Sequence, residues 1–117
     1  TGENAGGVLA RLLVEAANGP TPGEAQALLA DRGVTVVPDV IANAGSVQVC
    51  QMERTQGLYD NYWDAETVDG LRRRRLLHAY HEASRAAARH RVESIRLGAW
   101  INALERVQEA VQLRGWA

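Results

Sequence analysis

The stretch that decides the fold is "RLLVEAANGPTPGEAQALLADRGVTVVPD", Arg11 to Asp39. It opens on a short apolar run, Arg11 to Ala17, that stops at "NGPTPG", a dense cluster of turn-forming residues. The run reads as a buried strand, centred near Arg11 to Glu15. In "GEAQALLADRG", Gly23 to Gly33, the residues Ala25, Leu28 and Leu29 stand at helical spacing. Pro22 lies near the start of that helix and Gly33 is its stop. "VTVVPD" is β-branched and apolar, and Pro38 with Asp39 halts it, so a second strand is predicted near Val34 to Val37. Strand, helix and strand joined this tightly imply a right-handed parallel unit.

Beyond Asp39 the pattern turns helical. "NAGSVQVCQMERTQGL", from Asn43, is a predicted helix despite three indifferent helix formers, Val47, Val49 and Thr55. The longest helix is predicted over "WDAETVDGLRRRRLLHAYHEASRAAARHRV", with Asp64 as its cap. Val68, Leu71, Leu76, Tyr80, Ala83 and Ala87 recur along it at helical intervals. A last helix, "SIRLGAWINALERVQEAVQLRG", places Ile95, Ala99, Ala103, Val107 and Ala110 on one stripe and ends at Gly115. The first ten residues, small and Gly-rich, read as a lead-in. The fold class is therefore α/β: a partial Rossmann-like unit of two parallel strands, followed by long C-terminal helices. Residues 1–117 are expected to form a single domain.

Composition bounds the function. A formal net charge of -1 gives no general attraction to nucleic acid or to anionic membranes. All 13 basic residues are Arg, so no lysine is available for chemistry. The single Cys excludes an internal disulfide and suits a reducing compartment. No apolar run approaches the roughly 20 residues of a membrane span. The expected location is cytoplasmic.

Three ordered segments carry a resemblance: "VEAANGPTP", "RGVTVVPDVIANAGSV" and "ALERVQEAVQLRGW". Together they resemble the C-terminal part of the glutamate/leucine/phenylalanine/valine dehydrogenase family, and "GLYDNYWDAETV" is most similar to the glutamate enzymes. The resemblance implies a nucleotide-binding domain and NAD(P) as cofactor. It places Asn18, in the "ANGP" turn, beside the nicotinamide ribose, and Asn43 facing the nicotinamide and substrate. Val47 matches an apolar lining residue of the amino-acid pocket. Cys50 stands where the glutamate enzymes carry a serine for the substrate side-chain carboxylate, and a thiol is a weaker donor. Ser46 replaces the second glycine of the family's "NAGG" motif.

The resemblance also implies what this stretch does not carry. The glycine-rich dinucleotide fingerprint must follow a strand and open a helix. "GENAGG" follows no strand and has the wrong spacing. The family's catalytic lysines and aspartate come from a separate substrate domain. No catalytic residue is assigned here, and no tightly bound cofactor is expected.

Other constellations have plainer readings. His78, His81 and Glu82 share a helical face, but ligands one turn apart often occur by chance and no further one is nearby in sequence, so no metal site is assigned. Cys50 reads as a small core-facing thiol and not as a nucleophile. The run Arg72 to Arg75 reads as a solvated face paired with Glu66, Asp69 and Glu82 at helical spacing. Trp63, Trp100 and Trp116 read as core or interface anchors. The expected function is that of a non-catalytic association or regulatory partner. The alternatives are a piece of an NAD(P)-dependent amino-acid oxidoreductase active only with other chains, and a small-ligand sensor. Two strands alone make too small a sheet to stand unaided. A homo-oligomer is expected, or a hetero-complex with a full-length dehydrogenase.

Overall fold

The computed structural model describes residues 1–115; Trp116 lies outside them. The chain forms two compact units, one covering Thr1–Leu77 and one beginning at His78. The first unit holds α1 (Gly2–Ala5), β1 (Leu12–Val14), α2 (Gly23–Asp31), β2 (Thr35–Val37), α3 (Asp39–Ala42) and α4 (Ala44–Tyr59). Helix α5 (Ala65–Arg89) runs from the first unit into the second, which also contains α6 (Ile95–Leu113).

The strands pair in parallel, with Leu12 opposite Thr35, Leu13 opposite Val36 and Val14 opposite Val37. Bonds from the Thr35 N–H to the Arg11 carbonyl and from the Glu15 N–H to the Val37 carbonyl extend the ladder at both ends. The helix between them ends because Gly33 takes a left-handed φ of +70°. That turn lets the Val34 N–H reach back to the Leu29 carbonyl at 2.9 Å. Ala25 and Leu29 of α2 bury against Val34 and Ala5, with Val8, Leu13 and Val36 packed around them. The first ten residues are thus more than a lead-in: α1 closes one side of this core through Ala5.

Strand β1 was expected to be buried, yet Leu12 and Val14 are each 56% exposed. Successive side chains in a strand point to opposite faces. Here α1 and α2 cover the face that holds Leu13, and among the described residues nothing covers the other.

Helix α4 buries a regular stripe. Gly45 and Met52 are buried and Gln48 and Val49 half-buried, which is the i, i+3, i+4, i+7 pattern of one helical face. Helix α5 starts on Asp64, whose Oδ1 accepts the Thr67 N–H at 2.7 Å. That bond holds the Asp64 carboxyl below its ordinary value of 3.8. In the second unit Ala83, Ala86 and Ala87 of α5 and Gly98 of α6 are buried. A Cβ at position 98 would stand 2.8 Å from Ala87 Cβ, so the two backbones meet at van der Waals range because residue 98 has no side chain.

The stripe expected along α6 holds only at its start. Ile95 and Ala99 are half-buried, whereas Ala103, Val107 and Ala110 are exposed. A ladder of four-residue steps advances about 40° per step round a helix. Three such steps carry Val107 about 120° from Ile95, away from the buried face.

Candidate functional site at the carboxyl ends of the strands

Ligands of open α/β sheets bind outside the carboxyl ends of the strands. In this chain β1 ends into Glu15 and the Asn18–Gly19–Pro20 turn, and β2 ends into Pro38 and helix α3. Gly19 takes a φ of +58°, a conformation that side chains rarely adopt, and this lets the chain reverse directly after Asn18. Across the gap, Asn43 ends α3 and precedes α4. Its Nδ2 donates to Asn18 Oδ1 at 3.2 Å, so two residues 25 positions apart in sequence are brought together.

Val47 and Cys50 follow Asn43 by four and seven residues, which puts all three on one face of the helical segment. That face is open: Val47 is 72% exposed, and Cys50 is an exposed free thiol. The expectation that Cys50 faces the core is therefore wrong. Met52, two residues on and about 200° round the helix, takes the core-facing position instead. Ser46 is exposed beside them.

Sequence reasoning missed the two acidic residues beneath the asparagines. Glu15 is buried to 2% exposure and Asp39 to 8%. Glu15 Oε2 accepts the Asp39 N–H at 2.9 Å. Asp39 Oδ2 accepts the Gly19 N–H at 2.6 Å, and Oδ1 accepts the Val40 N–H at 2.8 Å. The available signal was position: each acid directly follows, or stands one residue beyond, the end of an apolar strand.

The remaining candidates separate. His81 packs its ring edge-on against Tyr80, with centroids 5.9 Å apart, and Glu82 pairs with Arg85. Among the described residues no three His, Cys, Asp or Glu side chains are grouped to hold a metal. In the arginine run only Arg72 is paired, with Asp69 at 2.5 Å. No ion pair among the described residues reaches Arg73, Arg74 or Arg75, contrary to expectation. Four consecutive helical positions fan through about 300°, and only Arg72 projects back over Asp69. Trp63 is half-buried and Trp100 54% exposed, so neither is a core anchor within this chain. Among the described residues no helix is long and apolar enough to cross a membrane.

Comparison with known proteins identifies the chain's family. The family model of glutamate/leucine/phenylalanine/valine dehydrogenase matches residues 1–115. The NAD-specific glutamate dehydrogenase of Clostridioides difficile is 37% identical over 116 residues, 99% of this chain and 27% of that protein. That of Staphylococcus aureus (strain COL) is 39% identical over 117 residues, 100% of this chain and 28% of that protein. Glutamate dehydrogenase from Peptoniphilus asaccharolyticus superposes with a TM-score of 0.93 at 33% identity, over 100% of this chain and 29% of the other. The hetero-hexameric glutamate dehydrogenase from Thermus thermophilus (Leu bound form) superposes with a TM-score of 0.90 at 34% identity, covering 97% of this chain and 27% of the other. The chain therefore spans little more than a quarter of the relatives it matches. The chain belongs to the glutamate/leucine/phenylalanine/valine dehydrogenase family.

Proposed function

We propose that this chain works by association, as a glutamate-dehydrogenase-related component that does no chemistry by itself. The observation that carries the proposal is the Asn18–Asn43 pair, held at the carboxyl ends of both strands. On this reading residues 1–117 act as one domain that forms the nicotinamide-side wall of a dehydrogenase site. Two amide side chains suit the carboxamide and ribose hydroxyls of NAD(P), which would supply the hydride acceptor when bound. Val47 and Cys50 would line the amino-acid side of the same wall. The family's catalytic lysines have no counterpart here, since the chain contains no lysine, so on this reading the cationic clamp and general base come from elsewhere. Residence in the cytoplasm belongs to the same proposal, supported by the lone free thiol.

Exposed apolar surface supports association. Leu9, Leu58, Tyr59, Tyr62 and Leu113 are each at least 70% exposed, and each strand has a single neighbour among the described residues. Proteins normally cover or pair such edges. The relative from Thermus thermophilus is itself a hetero-hexamer. A second reading, in which the assembled chain regulates and the wall takes no part in turnover, is favoured by Cys50 and Ser46. Both depart from the family's pocket.

The test is to run the chain alone and mixed with a full-length NAD-specific glutamate dehydrogenase, by size exclusion with light scattering and by nicotinamide reduction with glutamate. Alone, the chain should show no turnover and a mass above the 12.7 kDa of one copy. Mixed, it should co-elute with the dehydrogenase. Changed activity of the mixture favours regulation. Turnover by the isolated chain above a heat-killed control, or a monomer that never co-elutes, refutes the proposal.

A further inference from the structure

A buried carboxylate is costly unless hydrogen bonds compensate, and apolar residues of similar volume would pack the same space more cheaply. Two such groups, Glu15 and Asp39, lie at the ends of β1 and β2, and stability alone is a poor reason for them. Their bonds form a relay. Glu15 Oε2 fixes the backbone of Asp39, and Asp39 Oδ2 fixes the Gly19 N–H, next in sequence to Asn18. Asp39 also accepts the Asn43 N–H on its backbone carbonyl, at 2.8 Å. Asn43 is therefore bonded directly to Asp39, and Asn18 is joined to it through the neighbouring Gly19 N–H.

We infer that Glu15 and Asp39 are positioning residues: they hold the Asn18 turn and the Asn43 helix end in register, so that the two amides present one preformed surface. Neither acid forms part of that surface, and each acts through the backbone it grips. The value of that surface for nicotinamide rests on the proposed function, whereas the register itself does not.

The experiment reads the Asn43 side-chain amide by NMR in the full chain. Asp39→Asn keeps the size but removes one of the two carboxylate acceptors, so the Gly19 N–H or the Val40 N–H loses its partner. The Asn43 side-chain signals should move toward free-amide positions, and their exchange with water should quicken about fivefold, the scale of losing a neutral amide bond. Glu15→Gln keeps an oxygen for the Asp39 N–H and should leave those signals in place, whereas Glu15→Leu should reproduce the Asp39→Asn change. A folded Asp39→Asn chain in which the Gly19 amide exchanges freely while the Asn43 signals match the wild type overturns the inference, as does a folded Glu15→Leu chain with unchanged Asn43 signals. If the variants fail to fold, the wild type still decides, because a freely exchanging Gly19 amide would show that the carboxylate bond is not held. NAD is then titrated separately. A wild type that never responds at Asn43 sinks the nicotinamide reading and leaves the positioning result standing.

Discussion

Gly98 gives the sharpest test of the packing. Its absent side chain is what lets α6 approach α5. A Cβ placed there would stand 2.8 Å from Ala87 Cβ and 2.9 Å from Ala87 N, and closer still to the Ala83 carbonyl oxygen. Two of those three atoms are backbone, which no rotamer change can move. Overpacking of this kind costs about 1–3 kcal/mol, and a clash with main chain belongs at the upper end. Alanine recovers roughly 1 kcal/mol of helix propensity over glycine. The net expectation for Gly98→Ala is a loss of about 2 kcal/mol, or about 8 °C in Tm for a chain of this size. Gly57, on α4, is the control, because a Cβ there meets nothing within 4 Å. The same chemical change at that site should stabilise by roughly 0.5–1 kcal/mol. Thermal melts followed by circular dichroism, at one fixed protein concentration, compare the two. A Gly98→Ala chain that melts at or above the wild type would show that the helices do not meet at residue 98, and the reasoning would fail.

Two further predictions concern helix ends. Arg91 follows α5 with a left-handed φ of 55°, in the position where glycine usually sits, and the Val92 N–H closes the turn on the Ala87 carbonyl at 2.9 Å. Arg91→Gly should stabilise by about 0.5–1 kcal/mol, the left-handed penalty less the lost cation at a helix C-terminus, and a urea midpoint shifted downward would contradict it. The Asp64 carboxyl is held below its ordinary value by the Thr67 N–H, so its contribution is present above the unfolded value of 3.8 and is lost as pH falls through the lower folded value. The Thr67 amide should therefore titrate with a midpoint below 3.8, and Asp64→Asn should abolish that titration while keeping a cap; a midpoint above 3.8 would contradict the bond.

Much of the fold was legible because local signals were unambiguous. Asn18 to Gly23 concentrates turn formers between apolar runs, and Gly33 and Asp64 are strong helix punctuation. Both helix-boundary residues act as the sequence suggests. What the pattern could not give is which face of each element meets another. A four-residue ladder and a heptad-like ladder differ by only a few tens of degrees at the first turn, so Ala99 was placed correctly and Val107 was not. For α4, apolar character alone was misleading. Gln48 points inward while Val47 and Cys50 point out, because register is set by Gly45 and Met52 and not by the sum of hydrophobicity.

The candidate site divides along the same line. Asn18 and Asn43 were singled out by the family resemblance of the motifs that hold them, and the structure brings the two side chains together. Glu15 and Asp39 were not singled out, because Asp39 reads locally as a strand stop and Glu15 as the tail of an apolar run. Only the parallel register of β1 with β2 brings Glu15 under Asp39 and Asp39 under Gly19. Tertiary pairing thus turns one apparent stop signal and the tail of an apolar run into the supports of the asparagine pair, and a change confined to either acid should be felt at Asn43 before it is felt in the helices beyond.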